Sequence, residues 1–266
     1  MERQHVTTLV VVVAVLLAGC GGSTPDGGTA TPTATGTPTP TATPAPTETP
    51  TSTATPTQTL PYPGGWSESG IDDPQTALDS HYRAVLAGPS TTVTYRSEVL
   101  ESTNGTPRNT TLDMRFDTES ERLFAEIVGR DGHREVYFAN GTFSQWDVGN
   151  ETMASQSETQ FNLVAQSVDR QVLLSHLLLY EVERAGPVQH SGVTAHRYEV
   201  TGVHPNTLSN TFGSAVSGSG HIVITRNGRI LELETTVTYE RATVQYRYDQ
   251  TDFRDTAVPT PDWAQA

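Results

Sequence analysis

The chain of 266 residues sets 30 acidic side chains against 16 basic ones, all of them arginine, for a formal net charge of −14. That balance excludes recognition of nucleic acid, whose phosphates require a basic patch, and it suits high salt, where 1 M screens charge repulsion to within about 3 Å. The single cysteine, Cys20, excludes an internal disulfide.

At the N-terminus Arg3 precedes an apolar run from Leu9 to Leu17, the pattern of a signal-peptide core. A permanent span needs about 20 apolar residues to cross about 30 Å of hydrocarbon, so cleavage is expected instead. The run closes in Leu17-Ala18-Gly19-Cys20, which resembles the lipobox of lipoproteins. The resemblance implies a signal peptide of residues 1–19 and a lipid on the Cys20 thiol. It implies in turn export and anchoring to the outer face of the cytoplasmic membrane, the membrane being a partner through that lipid. Glu2-Arg3-Gln4 contains no twin arginine, which favours the general secretory route.

Residues 20–63 are expected to be a disordered, lipid-anchored stalk. From Gly21 to Pro63 the only charges are Asp26 and Glu48 and the only large aliphatic is Leu60, too little to build a core. Repeated Thr-Pro pairs bias this segment to polyproline conformation, with a reach on the order of 100 Å. Such composition is also the usual substrate of O-glycosylation. With lipobox, stalk and acidity together, the chain resembles the cell-surface lipoproteins of salt-loving archaea, although the use of arginine in place of lysine, taken alone, also fits a GC-rich genome.

Residues 64–266 are expected to form one domain. Its first helix is predicted over Asp73–Leu86, where Asp72 or Asp73 can cap, Pro74 suits the first turn, and Leu78, Tyr82, Val85 and Leu86 share a face before Gly88-Pro89. Alternation then predicts strands at Val93–Val99 and Leu112–Phe116, and a mostly apolar one at Leu123–Val128. A hairpin follows, Glu135–Asn140 with Thr142–Val148, turning at Asn140-Gly141, and further strand runs through Met153. Helical spacing of Phe161, Val164, Val168, Val172, Leu173, Leu177 and Tyr180 predicts one long second helix ended by Gly186-Pro187. His196–Val200, Ile222–Thr225, Ile230–Tyr239 and Val244–Tyr248 read as an antiparallel meander.

This order predicts an α+β fold, a curved antiparallel, half-barrel-like sheet with two main helices packed on one face. It is similar to the lipoprotein-carrier and mycobacterial lipid-binding lipoprotein folds, which implies apolar cargo held between sheet and helices. The likeness is architectural and carries no site residue across.

Asn104, Asn109, Asn140 and Asn150 each open a glycosylation sequon in or beside a predicted turn. Histidines 190, 196, 204 and 221 crowd the C-terminal half without i, i+4 spacing or carboxylate company, so no metal is expected. The pairs Glu232 and Glu234, and Asp113 and Asp117, alternate with apolar residues and read as solvated outer faces. Gly213–Gly220 contains neither a nucleophile elbow nor a phosphate loop and reads as a flexible loop. Trp66 and Trp263 flank the domain and read as aromatics pinning its ends to the core.

No cofactor is implied and no catalytic set emerges, so the leading expectation is a non-catalytic cell-surface protein that binds a lipid or other apolar ligand. Its ligand would meet inward-facing residues of Val93–Val99, Leu112–Phe116 and Val172–Tyr180. The alternatives are an envelope module that contacts cell-envelope proteins and an extracellular hydrolase.

Overall fold

The computed structural model describes residues 61–103, 109–204, 211–254 and 256–265. A short ladder of β1 (Trp66–Ser67) and β2 (Gly70–Ile71) leads into α1 (Pro74–Leu86). The carboxylate of Asp73 accepts from the amides of Gln75 and Thr76 at 3.0 Å each, which satisfies two orphan donors of the first turn. Leu78, Tyr82 and Val85 of this helix are buried.

Six strands follow: β3 (Thr91–Ser102), β4 (Thr110–Asp117), β5 (Arg122–Gly129), β6 (Gly132–Ala139), β7 (Thr142–Asp147) and β8 (Thr152–Glu158). After α2 (Phe161–Ser167) and α3 (Arg170–Leu179) come β9 (Tyr180–His190), β10 (Val193–Val203), β11 (Ala215–Thr225), β12 (Ile230–Tyr239) and β13 (Ala242–Thr251). The strand order is β8-β7-β6-β5-β4-β3-β13-β12-β11-β10-β9 in one antiparallel, open sheet. The first and last long strands meet at its centre, with Tyr95 opposite Tyr248. The fold is α+β, a curved antiparallel sheet with helices on one face, as the element order predicts.

Side chains of period two define the inner face, where Leu112, Met114 and Phe116 of β4 and Ile222 and Ile224 of β11 are all buried. Helices cover that face, with Leu173, Leu177 and Leu179 of α3 buried against it. Trp66 is buried against Tyr198, ring centroids 4.8 Å apart, and Trp263 stacks on Trp146 at 5.7 Å. Both ends of the domain are held by aromatic contacts.

Three predicted elements differ. The long second helix is two helices, broken at Val168-Asp169, because Asp169 turns its carboxylate into the core to meet two tyrosines. Gly186-Pro187 does not end a helix but lies inside β9, an edge strand that tolerates a residue without an N–H. Much of the glycine-rich loop at 213–220 is strand β11. There Gly220 has φ +125°, and a Cβ on it would sit 2.1 Å from the carbonyl oxygen of Glu234, so the strand demands glycine.

Gly132 has φ +109° with open space around it, so it isolates backbone strain from crowding. Gly132→Ala is expected to cost about 1–2 kcal/mol of strain, and Gly220→Ala that strain plus about 1–3 kcal/mol of overpacking. Denaturant unfolding of the two variants checks the order, and equal losses would refute the crowding at β12.

Candidate functional site

A solvent-open cleft of about 490 Å³ lies where the helical layer ends. Leu86 from the end of α1, Phe138 from β6 and Phe161 from the start of α2 give it an apolar floor. Thr118 and Glu121 of the β4–β5 turn, Gly141 of the β6–β7 turn, and Thr159, Gln160 and Asn162 around the α2 N-terminus form a polar rim. Two bonds hold the rim in place. Thr118 Oγ1 donates to the carbonyl of Gly88 at 2.7 Å, and the Thr159 amide donates to the carbonyl of Gly141 at 2.9 Å. The floor is closed by the Phe138 and Phe161 rings, centroids 5.8 Å apart.

Behind the cleft the buried residues of sheet and helices pack as one apolar core, and two polar knots lie within it. In the first, Asp169 accepts from the Tyr82 hydroxyl at 2.6 Å and the Tyr248 hydroxyl at 3.2 Å, while Gln250 Nε2 donates to the Tyr248 oxygen at 2.8 Å. Burial pushes the Asp169 carboxyl up to about 6, and the two phenol bonds oppose that rise. Beside this knot His81 Nδ1 accepts from the Ile230 amide at 3.0 Å, and burial, then the charge of Arg229, pushes the imidazole down to about 3. Arg229 itself donates to the carbonyls of Ala84 and Val85 at the end of α1, where a cation complements the helix dipole.

In the second knot His176 of α3 contacts the Tyr95 hydroxyl through Nε2 at 3.4 Å and the Tyr180 hydroxyl through Nδ1 at 2.9 Å. Tyr180 continues to Thr235 Oγ1 at 2.6 Å, and Tyr239 and Tyr246 share a bond of 2.9 Å. Burial pushes His176 down to about 4, so it is neutral at pH 7. These groups are buried and tie helices to sheet, although His81 Nε2 and Gln250 Oε1 have no partner among the described residues.

The inward-facing residues that the sequence nominates for ligand contact, among them Val93, Tyr95, Met114, Phe116, Leu173 and Leu177, are packed as core. The cleft draws instead on the ends of elements. Phe138 and Phe161 are visible in the sequence as apolar positions of strand and helix, but the rim residues carry only turn signals. Asn109, Asn140 and Asn150 are exposed, and Asn140 adopts φ 53° at its turn. Asn109 Oδ1 accepts from the Val99 amide and Asn150 Nδ2 donates to Asp147. Cys20 and Asn104 lie outside the described residues.

The outer face also corrects one expectation. Glu232 is not a solvated carboxylate without company: His190 Nδ1 lies 3.2 Å from one of its oxygens and His221 Nε2 3.1 Å from the other. Asp113 is exposed as expected, paired with Arg96. His204 meets Glu181, and His196 stacks on Tyr62.

A family model described as Family of unknown function (DUF7537) matches residues 41–266. No curated protein matches the chain. Among solved structures it is similar to LprF from Mycobacterium bovis, at 12% identity over 72% of this chain and 97% of that one, with a TM-score of 0.38. It is also similar to the Mycobacterium tuberculosis lipoprotein LppX, at 11% identity over 70% and 97%, TM-score 0.34. A LolA superfamily protein from Nitrosomonas europaea is 9% identical over 71% and 94%, TM-score 0.25. At these identities the likeness concerns the course of the chain.

The buried histidines set an acid response. Their native values lie below the ordinary 6.5, so between about pH 6.5 and 4 the unfolded chain binds protons that the native one refuses, and stability falls with acidification. Asp169 acts in the opposite sense over pH 4–6, its native value being raised from 3.8, but one group stands against two. Replacing His176→Gln is expected to flatten the stability slope between pH 6 and 4 by about one proton, about 1.4 kcal/mol per pH unit. Urea unfolding at stepped pH measures it, and an unchanged slope would show that His176 is not held neutral.

Proposed function

The chain belongs to Family of unknown function (DUF7537), and we propose that it is a non-catalytic, lipid-anchored cell-surface protein whose domain binds a small apolar or amphipathic ligand. The observation that carries the ligand reading is the cleft of about 490 Å³ with its three-sided apolar floor and its rim of hydroxyl, amide and carboxylate groups. Its size falls within the roughly 300–1,000 Å³ of ordinary small-molecule sites. An apolar tail fits the floor and a polar head the rim.

The α2 helix is the movable wall. It has seven residues, its N-cap Gln160 makes no side-chain capping bond, and Leu163 is 57% exposed on its surface. A helix this short is marginal by itself and persists through packing. A ligand that displaces the Phe161 ring opens the floor by tilting α2, whereas the packed core behind limits it to a short tail. The non-catalytic reading rests on the state of the inner titratable groups, since His81, His176 and Asp169 are buried and committed to structural bonds.

The anchoring reading rests on the lipobox at Leu17-Ala18-Gly19-Cys20 and the Thr/Pro-rich stalk behind it. In this reading the lipid on Cys20 tethers the domain to the outer face of the cytoplasmic membrane.

A dansyl-labelled medium-chain fatty acid is expected to bind the protein saturably, and Leu86→Trp, which fills the cleft, to abolish that binding with the circular dichroism unchanged. Binding that survives Leu86→Trp would place the ligand elsewhere and refute this site. For the anchor, Cys20→Ser is expected to leave the export intermediate uncleaved and without lipid, read by intact mass. A wild-type mass with no lipid on the mature chain would end the anchoring proposal.

A further inference from the structure

On the outer face, His190 at the end of β9 meets Glu232 of β12, three places away in the strand order. A small apolar cluster of Ala195, Val223 and Leu231, with Val188 of β9 and Phe253 packed against it, lies on the same side. The register places His221 opposite Glu234 and Glu232 opposite Asp249. Four strands therefore bring two imidazoles and three carboxylates to one half-buried patch, with Arg247 bound to Glu234 as the facing cation. Side-chain exposure is only 14% at His221, 21% at His190 and 23% at Glu232.

We propose that His221, Glu232 and Glu234 form a binding site for a divalent transition-metal ion of the zinc type, with His190 as the residue that positions Glu232. The available ligand atoms of those three residues lie within 4.8 Å of one another. The 3.1 Å between His221 Nε2 and Glu232 Oε1 is close to the edge of a tetrahedron built on bonds of about 2.0–2.1 Å, about 3.3 Å. Imidazole with carboxylate suits zinc, cobalt or manganese, whereas calcium and magnesium favour oxygen throughout. His190 Nδ1 lies 3.2 Å from the second oxygen of Glu232, the place an outer partner of a ligating carboxylate takes. An ion bound here clamps β11 to β12, and through His190 it holds the end of β9.

The test is titration of the full chain with cobalt(II) in high salt, followed by zinc displacement. One equivalent is expected to give visible ligand-field bands that zinc removes. Glu232→Gln and His221→Gln should lose them, His190→Gln should bind about 10- to 100-fold more weakly, and Asp113→Asn on the same outer face should behave as wild type. Unfolding without metal confirms that the variants are folded, and zinc should raise the melting temperature of wild type but not of Glu232→Gln. Non-saturable uptake, or uptake unchanged by Glu232→Gln, would assign the ions to the diffuse acidic surface and overturn the site.

Discussion

The chain leaves its sheet at one edge, β8, and must re-enter at the other, β9. Ten strand spacings of about 4.8 Å make about 48 Å across a flat sheet. The 17 residues of α2 and α3 supply about 26 Å of helix, and the four linking residues raise the reach to about 40 Å at most. The bridge therefore spans the edges only because the sheet curves toward it. That single connection forces the helices onto the concave side and decides which face becomes the core.

Within this bridge Asp169 sets the break between helices. A carboxylate with 1% exposure must be hydrogen-bonded to be tolerated, and the phenols of Tyr82 on α1 and Tyr248 on β13 meet that need. The knot thus joins both helical segments to the central strand where the two halves of the sheet meet. His176 does the same further along α3, linking Tyr95 on β3 with Tyr180 and Thr235. Polar contacts of this kind fix a direction and a register that apolar packing alone leaves loose.

The cleft follows from incomplete cover. α1 is 13 residues, about 20 Å long, less than half the flat width of the sheet. At the far end β8 is exposed along its whole length, and the floor near Phe138 is met by element ends, Leu86 closing α1 and Phe161 opening α2. On the opposite side of the sheet His190 at the end of β9 reaches Glu232 of β12, which His221 of the neighbouring β11 also meets. Edges and element ends, rather than the middle of the core, are where this fold places chemistry.

Much of this was legible in the residues. Asp73-Pro74 announced the start of α1 by cap and first-turn chemistry, period-two alternation found β3, β4 and β12, and Asn140-Gly141 marked the β6–β7 turn. Together with the element order these local patterns determined an α+β fold with an antiparallel sheet. The break at Asp169 was not legible, because helical spacing continues through it and only the tyrosines of other elements make it a turn. Nor was β9, whose Gly186-Pro187 stops a helix by every local rule yet suits an edge strand. The same holds for the sites: sequence spacing dispersed Leu86, Phe138 and Phe161, and it kept His190 and His221 apart from Glu232. Local chemistry settled which segments were helix or strand, while strand order, curvature and the curled edge decided which side chains met, because those contacts join residues distant in the chain.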